Sequence, residues 1–180
     1  MKKSQIKNRI KFVLSSMLII LLIGFALPED FHLPVAQMNK NSFNHESYWY
    51  YPWGKSICHK GVDIFAPKGT DVYASTSGII INISNHPRGG QLIHLLGPKW
   101  HIHHYLHLDT IIASKYDYVS AGTLIGKVGN TGNAAHKPSH LHYAITTPIP
   151  YLWQADKGRQ GFKKIWFINP TPYLIKNINS

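Results

Sequence analysis

Between residues 71 and 146 the chain repeats one pattern: short runs rich in β-branched and aromatic residues, each closed by a Gly, Pro or Asn turn. The runs are Asp71–Ser75, Ile79–Ile83, Leu92–Leu96, Ile102–Leu108, Leu124–Val128 and Leu141–Thr146. Between them stand Pro67-Lys68-Gly69, Arg88-Gly89-Gly90, Gly97-Pro98 and Gly129-Asn130-Thr131-Gly132-Asn133. Strands at this spacing predict an all-β domain. No stretch of the body carries the periodicity of a long amphipathic helix. Residues 147–180 hold four prolines with Trp153, Trp166 and Phe167, and read as an extended cap over the sheet. Pro67-Lys68-Gly69-Thr70 and Ser120-Ala121-Gly122-Thr123 echo each other as Gly-Thr turns entering strands, which shared turn chemistry explains without duplication.

The N-terminal segment reads as a targeting device. Lys2, Lys3, Lys7, Arg9 and Lys11 precede an uncharged run of 16 residues, Phe12 to Leu27. A spanning helix usually needs ~20 apolar residues, whereas signal-peptide cores run to ~7–15. Residues 1–27 are therefore a signal peptide, cut after Ala26, or a retained signal anchor in the inner membrane. Either way residues 28 onward are exported, and the basic cluster stays cytoplasmic. Residues 28–47 read as a linker to a domain that begins near Tyr48. The formal net charge is +11, and 14 basic against eight acidic residues remain beyond the leader. That excess favours an anionic partner. Nucleic acid is excluded because the Lys residues are scattered rather than interleaved with stacking aromatics on one face. Cys58 is the only cysteine, so no internal disulfide forms, and it reads as a small buried hydrophobe.

Three histidine clusters carry the chemistry. In His140-Leu141-His142 a strand puts both rings on one face, ~6.5–7 Å apart. They either converge on one metal or divide between a metal and its water; two exposed sheet histidines are the plain alternative. His59 and Asp63 would lie ~13 Å apart on a straight strand, so they meet only if the backbone bends, and Gly61 permits that bend. His, Asp and a second His supply the N, N and O donors that suit one Zn2+ with a fourth position open. Such an ion can bring a water's pKa to ~7. In His101–Leu108, alternation puts His101, His103, Tyr105 and His107 on one face and Ile102, His104, Leu106 and Leu108 on the core side. His107 is a candidate general base or oxyanion partner. His101, His103 and His104 read as sheet histidines without a chemical role, as do His32, His45, His86, His94 and His136.

Together, His59-Lys60-Gly61-Val62-Asp63, Tyr105-Leu106-His107-Leu108 and His140-Leu141-His142 resemble the lysostaphin-type (LytM-like) zinc metallopeptidases of bacterial peptidoglycan. The likeness runs over roughly residues 48–174, leaving 175–180 as a tail. It implies a compact antiparallel β-sheet core with an open groove, with His59, Asp63 and His142 as ligands of one Zn2+. His107 and His140 match the family's non-ligand catalytic histidines, and their individual roles stay open. Leu106 departs from the small residue that often precedes the catalytic His, and His136-Lys137 lies in a loop often richer in Gly and Pro; both reshape the groove without removing a ligand. The implied function is a zinc endopeptidase acting on peptidoglycan stem peptides or cross-links in the periplasm or cell envelope. The alternative is a non-catalytic wall-binding or regulatory module, with a regulatory protein as a further partner. Regulatory relatives typically lose ligands, whereas all five chemical positions are kept here.

Overall fold

The computed structural model describes residues 3–179. It opens with helix α1 (Lys3–Ala26), followed by strands β1 (Val62–Phe65), β2 (Asp71–Tyr73), β3 (Gly78–His86), β4 (Gly90–Leu96), β5 (Ile102–Leu108), β6 (Thr110–Ile111), β7 (Tyr118–Val119), β8 (Leu124–Lys127), β9 (His140–Thr146) and β10 (Phe167–Ile168), and then helix α2 (Thr171–Ile178). The larger sheet runs β1-β9-β5-β4-β3-β7, with β10 also paired to β9. The smaller runs β2-β8-β6. Every pairing is antiparallel, which bears out the all-β expectation. The two Gly-Thr turns place Gly69 and Gly122 at φ of 90° and 82°, a region open to glycine at little cost. They lead into β2 and β8, which pair with each other.

In α1 the stretch Gln5–Ala26 has a mean hydropathy of 2.0 over its most apolar window. By length and composition the helix suits a membrane crossing. It touches the domain through Trp100, whose indole N–H donates to the Leu21 carbonyl at 3.1 Å.

Two parts of the fold depart from what the sequence suggests. The cap over 147–180 is not wholly extended: it contains short 3-10 turns and α2, in which Leu174 is buried and Ile175 and Ile178 pack on the core. Eight residues are too few to leave a periodic signature. Strand β5 faces the opposite way from the expected one. His103 and Tyr105 are fully buried while Ile102, His104 and Leu106 are half-buried. Polar residues hold those core positions because their tips are bonded there: the Ser75 N–H donates to the Tyr105 hydroxyl at 2.7 Å, and His103 Nδ1 lies 2.6 Å from the Tyr143 hydroxyl. A buried polar group that keeps a hydrogen bond avoids most of the cost of leaving water. Cys58, by contrast, is buried and unpaired as expected.

The segment 28–47 contributes Val35, Met38 and Phe43 to the hydrophobic core, and Val35 forms a bridge with Val72. Phe43→Ala is expected to lower the unfolding free energy by about 3 kcal/mol, the scale for emptying a buried aromatic site. A urea titration would read this as an earlier midpoint with an unchanged slope.

A candidate metal centre

Register places most of the site. Asp63 on β1 and Leu106 on β5 both pair with His142 on β9, and Phe65 pairs with His140. The period of two along a strand sets Asp63, His140, His142 and Leu106 on one face, with Val62, Leu141, Tyr143 and Tyr105 turned into the core. His59 lies just ahead of β1, in extended chain whose backbone pairs with Trp49 and Tyr50 (Trp49 N to His59 O 2.6 Å, His59 N to Tyr50 O 3.0 Å). There His59 Nε2 stands 3.1 Å from Asp63 Oδ1 and 3.1 Å from His142 Nδ1, and His142 Nδ1 stands 2.7 Å from Asp63 Oδ1. Three donor atoms thus meet at one point, as the His59–Asp63 spacing requires if the chain bends. Gly61 serves that meeting differently from the expectation. Its φ is ordinary, but a Cβ there would sit 2.6 Å from the Tyr143 carbonyl and 2.9 Å from His142 Nε2.

Backbone carbonyls set the tautomers. His59 Nδ1 bonds the Ser47 carbonyl at 3.0 Å, His107 Nδ1 the Thr131 carbonyl at 2.9 Å, and His140 Nδ1 the Pro138 carbonyl at 2.8 Å. A carbonyl only accepts, so each Nδ1 carries the proton and each Nε2 keeps its lone pair. For His59 that lone pair points at Asp63 and His142 while a carbonyl holds its other nitrogen, as is common among metal-ligating histidines. His140 Nε2 is 3.9 Å from Asp63 Oδ1, outside the tight set. The His107 ring is centred 5.1 Å from that of His140 and 6.1 Å from that of His142.

His107 reaches this face through a break in β5. Unbroken alternation would have turned it to the core beside Tyr105. Instead its φ is 65°, in the left-handed region that costs a non-glycine residue about 1–3 kcal/mol, and the β4–β5 register shifts between Gln91 and Ile93. Leu108 then takes the core position. The loop after β8 holds the break. Thr131 Oγ1 donates to the Leu108 carbonyl at 2.8 Å and accepts from the Gln91 N–H at 2.9 Å. Gly129 lies so close that a Cβ would come 2.4 Å from Asp109 N and 2.7 Å from His107 O.

Burial first, then the neighbouring His142 and His140, push the His107 pKa down to about 4, so the ring is neutral at neutral pH. Burial acts to raise the Asp63 pKa, but the hydrogen bond from His142 and the closeness of the His59 ring outweigh it and hold the group well below the usual carboxylate range. Asp63 is accordingly ionised. The floor of the groove, about 130 Å³, is lined by Asp63, Leu106, His107, His140 and His142. A larger cavity of about 620 Å³ continues from it past Trp53, Lys55, Arg88 and Lys137. Trp53 stacks on the His59 ring at 4.1 Å.

All five residues singled out from the sequence meet here, His59, Asp63 and His142 in a tight triad with His107 and His140 beside it. Thr131, Gly129, Ser47 and Trp53 were not singled out. Gly129 and Thr131 sit in a run legible only as a turn; the Ser47 contact is made by its backbone and leaves no mark in the side-chain pattern.

Comparison with known proteins agrees with this geometry. The model of a family described as "Peptidase family M23" matches residues 58–154, more than half of the chain. Peptidoglycan DD-endopeptidase ShyA of Vibrio cholerae is 34% identical over 113 residues, covering 62% of this chain and 26% of that protein. Murein hydrolase activator NlpD of Salmonella typhimurium is 31% identical over 103 residues, covering 53% of this chain and 26% of that one. The chain spans about a quarter of the length of these two curated relatives. Among solved structures, the catalytic domain of the antimicrobial peptidase lysostaphin from Staphylococcus simulans superposes with a TM-score of 0.59 at 30% identity, over 74% of this chain and 93% of that one.

Gly61→Ala tests the packing of the triad. The added methyl must displace His142 or the β9 backbone, so affinity for a divalent ion is expected to fall at least ~10-fold, the scale for disturbing a ligand's support. Competition against a chromogenic chelator would measure it.

Proposed function

As the chain belongs to peptidase family M23, we propose that it is a zinc-dependent endopeptidase that hydrolyses peptide bonds in peptidoglycan stem peptides or cross-links. The convergence of His59 Nε2, Asp63 Oδ1 and His142 Nδ1 within 2.7–3.1 Å carries this reading. Two nitrogens and an ionised carboxylate oxygen are the donor set that zinc takes, and these three residues would hold the ion. When bound, zinc supplies Lewis-acid polarisation of a carbonyl and an acidified water. His107 and His140 handle the proton. Each presents an Nε2 lone pair beside the triad and has its Nδ1 proton anchored on a carbonyl. A ring so held takes a proton at Nε2 without turning, and the imidazolium formed is a donor for developing negative charge.

The groove supports an anionic peptide as substrate. Lys55, Arg88 and Lys137 line its walls, and Asp63 is the one acidic residue among those lining the two adjoining cavities. Helix α1, retained as an anchor, would hold the domain at the outer face of the inner membrane. The second reading, a non-catalytic wall-binding or regulatory module, takes support from the activator among the relatives; the complete set of five residues weighs against it.

Incubating the purified protein with intact sacculi and identifying the released muropeptides by mass tests the proposal. Cross-linked dimers should disappear in favour of monomers, stop on chelation and resume with zinc. Sacculi bound but uncut in both states would favour the second reading. Asp63→Ala and His142→Ala are expected to lose zinc and turnover together. His107→Ala and His140→Ala should keep zinc and lose turnover ~100-fold or more, the scale of positioned acid–base groups.

A further inference from the structure

On the opposite face of β5 a second set of metal-type donors converges, from residues that the sequence marks as plain sheet histidines. Glu29 lies three residues beyond the end of α1, His101 just ahead of β5, and His103 within it. Their side chains are almost wholly buried, at 1%, 2% and 0% exposure. Glu29 Oε1 is 2.8 Å from His101 Nδ1 and 3.7 Å from His103 Nε2, and the three donor atoms all lie within 4.8 Å of one another.

Each imidazole has its far nitrogen on a tyrosine hydroxyl. His101 Nε2 meets Tyr151 at 3.2 Å and His103 Nδ1 meets Tyr143 at 2.6 Å. Both near nitrogens are thereby turned towards the same carboxylate oxygen, the outer-shell arrangement that orients metal-binding histidines. His103 Nε2, fully buried, has no hydrogen-bond partner, because 3.7 Å is too long for one. A buried polar atom left in that state calls for an explanation. Lys99 places its ammonium 3.2 Å from the other carboxylate oxygen, Oε2, so Oε1 is the oxygen turned towards both imidazoles. A cleft of about 560 Å³, lined by Glu29, Lys99, Tyr173 and Lys176 among others, opens beside Glu29.

We propose that Glu29, His101 and His103 form a second divalent-metal site, structural rather than catalytic, with zinc as the ion its two nitrogens and one oxygen favour. Bound there, the ion ties the chain that leaves α1 to β5, fixing the membrane-side end of the domain to the strand that also carries His107. The proposal is independent of the peptidase reading, because His103 and His142 lie on opposite faces of the β5–β9 pair.

The test is metal content of the full chain in detergent, loaded with zinc, desalted and measured by mass spectrometry of the element. Two zinc per chain are expected in the wild type, and one in each of Glu29→Gln, His103→Gln and Asp63→Asn. The double variant Glu29→Gln/Asp63→Asn should bind none. Cobalt loaded into Asp63→Asn, which leaves the second site intact, should show visible absorption from an N, N, O environment. That readout survives even if the Glu29 and His103 variants fold poorly. One zinc in the wild type, lost on Asp63→Asn, would overturn this proposal and leave the first centre standing; so would an unchanged content in both Glu29→Gln and His103→Gln. Zinc that resists Asp63→Asn and disappears on Glu29→Gln would uphold the second site and overturn the first.

Discussion

The full complement of five groups at the candidate catalytic face depends on one left-handed residue, His107. With the usual extended φ, His107 would follow Tyr105 into the core, and the face would hold four of its five chemical groups. The left-handed turn brings its ring out beside His140 and His142 and sends Leu108 inward in its place. Histidine visits that conformation more readily than most residues, yet it needs support from outside the strand. Thr131 gives it by bonding the backbone on both sides of the break and the His107 ring itself. Gly129 contributes by lacking a side chain where none would fit. Strain at a functional residue is thus held in place by a loop about 20 residues further along the chain.

Strands β5 and β9 carry polar chemistry on both faces, which is unusual for the middle of a sheet. On one face the histidines surround an open groove. On the other, His103, Tyr105 and Tyr143 sit inside the core with their polar tips bonded to one another or to backbone. The same residue type serves opposite purposes because its second nitrogen is differently engaged. Backbone carbonyls face His59, His107 and His140 in the groove and leave Nε2 as an acceptor; tyrosine hydroxyls face the rings of the buried side. The orientation of each imidazole therefore belongs to its neighbours as much as to its own backbone.

The segment between α1 and β1 links these two faces to helix α1. It supplies Glu29 to the buried histidines, Val35, Met38 and Phe43 to the core, the Ser47 carbonyl to His59 and Trp53 to the His59 ring. Polar, turn-rich sequence of this kind looks like a tether. Its stretch 28–47 buries only Val35, Met38 and Phe43 in the core, too few to mark a strand or a helix by their period.

The sequence by itself determined the class of the fold and the identity of the groups at the first site. Alternating runs and turn residues act locally, so they are legible in order along the chain, and His-x-His states its own geometry once it lies on a strand. The His59–Asp63 pair was legible as a requirement that the chain bend. Which face of β5 is buried was decided only by the tertiary structure. Hydrophobicity favours Ile102, Leu106 and Leu108 inside, and that local preference lost to hydrogen bonds that exist only when β5, β9 and Ser75 are assembled. The break at His107 and the gathering of Glu29 with His101 and His103 were decided the same way. Both rest on contacts between segments more than 20 residues apart, and a linear pattern carries no record of a partner at that distance.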